Sequence, residues 1–126
     1  MKTKLIFKLS VFVFVMIFIS CSSNVDKELN GTWISTKNKS LELKFDNGKF
    51  EEIMNGIPKS KGTYTTNENN LIMKVTHSQT KANDSKLYNS NVTWEYLYSF
   101  NNNRLILIDE TLYEYDKQEI FTKKEN

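Results

Sequence analysis

The 126-residue chain has one cysteine, one histidine, one proline and four glycines. A single cysteine cannot close a disulfide within the chain, so packing alone must hold the fold. A lone histidine, with no free cysteine to join it, offers no ligand set for a metal centre. Acids occur as Glu51-Glu52, Asp109-Glu110 and Glu114 with Asp116. These are adjacent or alternating positions on strand-like segments and read as solvated faces, because paired-carboxylate catalysis needs a fixed spatial separation. No Gly-x-Ser-x-Gly turn accompanies His77, so a Ser–His–acid hydrolase lacks its local context. No segment carries a clear 3.6-residue apolar stripe, which argues against a helical fold. Catalytic residues are therefore none, metal ligands none, and the chain is not expected to be an enzyme.

What is present begins at the N-terminus. Met1-Lys2-Thr3-Lys4 carries two lysines, and Leu5 to Ile19 is apolar except at Lys8 and Ser10. A positive end followed by a short apolar run is how an export signal is built. The run is short of the ~20 residues that a spanning helix needs. It ends Phe18-Ile19-Ser20-Cys21, which resembles the lipobox of bacterial lipoproteins, with Phe18 where that family usually has Leu. The resemblance implies that residues 1–20 are removed and that Cys21 carries a diacylglycerol and becomes the first residue of the mature protein. Two or three acyl chains anchor stably, since each buried methylene adds about 0.8 kcal/mol. Ser22 after the cysteine resembles the sorting signal for the outer membrane of two-membrane bacteria. No cofactor is implied beyond the covalent lipid.

The signal holds three of the 17 basic residues and no acid, so 14 remain against 15 Asp+Glu. A mature net charge near −1 gives no electrostatic footprint for nucleic acid. Residues 21–29 read as the lipidated cysteine and a polar tether, with a single helical turn as the alternative. Residues 123–126 read as a polar tail.

Between them, residues 30–122 read as short strands separated by turns. Gly31–Ile34 opens. Leu41, Leu43 and Phe45 alternate with Glu42 and Lys44, the period of a strand with one wet face. Asp46-Asn47-Gly48 turns the chain, because Asn and Gly tolerate positive φ. Phe50–Met54 returns, Asn55-Gly56-Ile57-Pro58 turns, and Gly62–Thr66 and Leu71–Val75 follow. Ser78–Ser90 is a long polar loop with room for a helical turn near Lys86-Leu87-Tyr88. Val92, Trp94, Tyr96, Tyr98 and Phe100 then share one face of a strand, interrupted only by Leu97. Arg104–Ile108 is an unbroken apolar run, expected to be covered on both faces. Leu112–Tyr115 reads as the last clear strand, with Ile120-Phe121 as an extension or a further short one. About eight strands with short sequential turns predict an all-β, antiparallel up-and-down barrel, which closes to remove its edges.

Leu29-Asn30-Gly31-Thr32-Trp33 resembles the Gly-x-Trp opening of lipocalin-like domains. Leu43–Phe50, Lys61–Tyr64, Asn69–Met73, Tyr98–Asn101 with Arg104–Leu107, and Tyr113–Tyr115 fit small bacterial lipocalin-like lipoproteins. The resemblance covers residues 29–117 and implies an eight-stranded antiparallel barrel or half-open barrel, without implying one activity. It also implies that Trp33 closes one end against a basic residue, for which Arg104 is the candidate.

The aromatic stripe makes Tyr64, Trp94, Tyr96 and Tyr98 the candidate ligand-binding residues, because rings with polar atoms can hold and orient an apolar molecule. The competing reading is that these rings fill the barrel, since eight strands enclose room for side chains or for one small ligand. Two functions follow: an envelope lipoprotein that binds a small apolar ligand, or a filled barrel that docks on an envelope or host protein, with the Ser78–Ser90 loop as a contact element.

Overall fold

A computed structural model describes residues 24–81, 84–112 and 117–126. The signal, Cys21 and Tyr113–Tyr115 lie outside the described residues. Eight strands form in chain order: β1 Gly31–Ser35, β2 Leu41–Asp46, β3 Lys49–Met54, β4 Ile57–Asn67, β5 Asn70–Ser78, β6 Tyr88–Asn101, β7 Arg104–Ile108 and β8 Gln118–Lys123. Each pairs antiparallel with the next, and β1 pairs with β8 to close the barrel. The expected all-β up-and-down architecture is the one observed.

The turns sort the barrel into two ends. At one end the connections are tight: Asp46–Lys49, Asn67–Asn70 and Asn101–Arg104. Asn47, Glu68, Asn102 and Asn103 take positive φ there, and Gly48 does too, which lets two-residue links follow the strand twist. At the other end, here called the mouth, lie residues 36–40, Asn55-Gly56, residues 79–81 and 84–87, residues 109–112 and Lys117.

Leu43, Phe45, Phe50, Tyr64, Leu71, Met73, Val75, Leu105, Leu107 and Phe121 fill the interior. Their alternation with outward polar residues is the period-2 pattern of each strand. Burying this set supplies most of the folding drive, at about 1.5–3 kcal/mol for each large side chain.

Several elements depart from the sequence expectation. The tether is not free from Asn24 onward. Lys27–Leu29 forms a 3₁₀ turn capped by Asp26, whose side chain accepts from the Glu28 amide. Leu29 is fully buried, and the segment plugs the tight-turn end. β4 begins at Ile57 rather than Gly62, because Pro58 sits at the register shift beside Ile53, where a missing amide is tolerated. No helical turn forms at Lys86–Tyr88; Tyr88 opens β6, opposite Ser78. The last strand is Gln118–Lys123, not Leu112–Tyr115. Leu112 lies in an exposed bend, whereas Phe121 faces inward opposite Leu105 and Ser35. The strand therefore runs into what reads as tail. On β7, Ile106 and Ile108 are half-buried on the outside rather than covered.

Candidate functional site

The four residues expected to form one ligand site divide between the two ends. Tyr64 and Tyr98 belong to the plug. The Tyr98 hydroxyl donates to Asp26 Oδ2 at 2.8 Å. The Tyr64 ring stands edge-on to Phe45 at 5.0 Å, and its hydroxyl points to Asn30 Oδ1 at 3.4 Å. Burial and the hydrogen bond to Asp26 push the Tyr98 hydroxyl up to about 12. Both rings are fixed parts of the closed end.

Trp33 lies in the same assembly, 2% exposed. Its indole N–H donates to the Leu29 carbonyl at 2.7 Å, and Phe100 packs against its ring at 5.8 Å. The cation over Trp33 is Lys123, with Nζ 5.3 Å from the ring centroid. The expected partner, Arg104, is exposed. Strand parity explains the correction. Leu105 points inward, so Arg104 points out; Lys123 shares the inward face of Phe121 and pairs directly with Trp33.

Trp94 and Tyr96 line the mouth instead. With Leu41, Leu43, Met73, Leu107 and Phe121 they leave a cavity of only about 30 Å³, close to the volume of one water. The rings fill the barrel: Trp94 meets Phe50 at 6.0 Å, and Tyr98 meets Phe100 edge-on at 5.9 Å. The cavity also carries two carboxylates: Glu52, which turns inward instead of joining the solvated face expected for Glu51-Glu52, and Glu119, which did not stand out in the sequence. Glu52 accepts from the Ser60 hydroxyl at 3.3 Å. Burial raises its carboxyl above the ordinary glutamate value; the Ser60 bond opposes this, and Glu119 adds to it. Burial first, then Asp109, Glu119 and Glu52, pushes Tyr96 up to about 12. Period-2 parity from Phe50 and Phe121 was the signal that would have turned both acids inward.

A second cavity, of about 410 Å³, lies on the outer wall of β2–β5. Lys44, Glu51, Lys61 and His77 sit side by side across four strands, above Gly62 and Phe50. Opposite charges alternate, yet the single ion pair within 4.0 Å among the described residues is Lys124–Glu42 at 3.3 Å. The groove is a solvated belt of mixed sign. His77 lies within β5, with Nδ1 2.9 Å from the Thr76 hydroxyl.

The large apolar side chains exposed among the described residues are Tyr88, Val92 and Leu112, at 40%, 49% and 48%. All three belong to the mouth. Val92 was expected on the covered aromatic face, and the length of β6 explains the difference. β7 pairs with β6 only over Leu97–Asn101, so among the described residues the start of β6 has a neighbour on one side alone.

No family model, curated protein or solved structure matches this sequence. Function is therefore read from this chain's own surfaces.

Proposed function

We propose that this protein is a lipid-anchored envelope lipoprotein with a filled, lipocalin-like barrel, and that it works without chemistry as a docking module whose mouth meets a protein partner. The observation that carries the reading is the cavity of only about 30 Å³ left beside Trp94 and Tyr96. A small-molecule site needs roughly 300 Å³ or more. The aromatic stripe that suggested a carrier is committed to packing and to the plug. Tyr88, Val92 and Leu112 then supply apolar contact area at the end opposite the plug, flanked by residues 79–81 and 84–87. Interface cores are richer in such aromatic and aliphatic side chains than the rest of a surface. The anchor in this reading is the lipid on Cys21, with the bacterial cell envelope, and by resemblance the outer membrane, as the location.

Native mass spectrometry on residues 22–126, released from the native host's envelope, tests the filled barrel. The expected result is the bare polypeptide mass. A small molecule that stays bound natively and leaves on denaturation would restore the carrier reading and sink the docking one. Photoreactive side chains at Tyr88 and Leu112 in intact cells are expected to give one discrete protein adduct, lost when Val92 is made Asp. For the anchor, Cys21→Ser is expected to move the protein from the membrane to the soluble fraction.

A further inference from the structure

We infer that the plugged end of the barrel rests against the bilayer and that the mouth points away from it. This rests on the reading of Cys21 as the lipid-bearing residue.

The plug is tied to the barrel from its first described residue. The Asn24 carbonyl accepts from the Thr66 amide at 2.8 Å and from the Thr66 hydroxyl at 3.3 Å. Val25 packs against the core, with its methyl beside Gly48. Asp26 holds Tyr98, and Leu29 is buried under Trp33. Only Ser22 and Ser23 separate Asn24 from Cys21. Three residue steps span at most about 11 Å. The headgroup layer is about 5–7 Å deep on each side of the hydrocarbon. Asn24 is therefore held at the membrane surface.

Barrel length excludes the reverse orientation. Even β2, with 6 residues, rises about 20 Å, or about 15 Å along the axis at the usual tilt, and the overhanging β6, with 14, reaches about 35 Å. A mouth-down barrel would need the tether to reach beyond its full extension. The short tether thus presents the docking end outward.

The experiment uses the full lipoprotein in vesicles. Because Cys21 is consumed by lipid, an added cysteine is the sole free thiol, and Asn69→Cys and Ser85→Cys place it at the plugged end and the mouth. Both positions are exposed, so folding is preserved, which the wild-type circular dichroism spectrum checks. Each is labelled with an environment-sensitive dye and quenched by spin-labelled headgroups. Quenching at Asn69→Cys is expected to exceed that at Ser85→Cys about threefold, given a separation near the barrel length. Equal quenching means a barrel lying on its side and overturns the inference, as does the reverse order. If the unlabelled wild type does not float with the vesicles, the lipid-attachment reading itself fails, and that result is seen before any quenching is measured.

Discussion

Gly62 shows how much a single position can decide. It sits where the β4–β5 register shifts, and a Cβ there would overlap the Lys74 carbonyl oxygen and press on the Phe50 ring. Backbone cannot yield as a flexible side chain does. Gly62→Ala is expected to cost about 2–3 kcal/mol, within the range of overpacked sites, read as a lower urea midpoint. Glu52 makes the converse case, a residue whose removal helps. Its folded-state proton affinity is raised by burial, so the stability it allows is full below the unfolded glutamate value. That stability is lost as pH rises through the folded value. Glu52→Gln keeps an acceptor for Ser60 and removes the charge beside Glu119. It is expected to raise Tm by roughly 3 °C at pH 7, about 0.5 kcal/mol for a partly screened site, and to leave Tm unchanged at pH 4. A Tm gain of equal size at both pH values would assign the effect to packing. Lys123 over Trp33 was legible in principle, since the parity of Leu105 and Phe121 fixes which basic residue can turn inward. Resemblance pointed to Arg104 because it compares order along the chain and not faces of a strand.

At the scale of elements, the middle strands were readable because alternation and turn chemistry agree. Leu41–Phe45 and Leu71–Val75 show the period, and Asn47-Gly48 and Asn55-Gly56 adopt the positive φ that their composition permits. The two ends of the domain were not readable for the same reason: each works by a few directed contacts. The segment 24–29 has only Val25 and Leu29 to bury, so no period marks it. Its role lies in backbone acceptors, the Leu29 carbonyl for Trp33 and the Asn24 carbonyl for Thr66. β8 was displaced because Leu112–Tyr115 is more apolar, while closure demands a strand whose alternate residues face both β1 and β7. The plug is expected to be a structural element and not a spacer. Leu29→Ala should cost about 2–4 kcal/mol, as buried leucines do, and Tyr98→Phe about 1 kcal/mol for its bond to Asp26. Chemical denaturation of the soluble domain measures both. A chain beginning at Asn30 that unfolded at the same midpoint as one beginning at Ser22 would return the segment to the status of a tether.

For the whole molecule the decisive feature is closure. Pairing of Gly31–Ser35 with Gln118–Lys123 closes the ring of strands, so a strand that opens gives up two neighbours at once. The chain has two tryptophans, and they lie in opposite halves. Trp33 sits under the plug, and Trp94 lines the cavity at the mouth. They report separately once the other is replaced, so Trp94→Phe isolates the plugged end and Trp33→Phe isolates the mouth. Each substitution lowers overall stability, which circular dichroism on the same sample normalises. If the filled interior couples the ends, fluorescence and circular dichroism should give one coincident urea transition in both variants, the mark of a single cooperative unit. The interior supports that expectation: Phe50 touches Trp94, while Phe100 bridges Trp33 and Tyr98, so aromatic packing reaches toward both ends. A Trp94 transition at lower urea than the Trp33 transition would instead divide the barrel into a rigid plugged half and a softer mouth. The start of β6, which overhangs β7, is where that softening would begin.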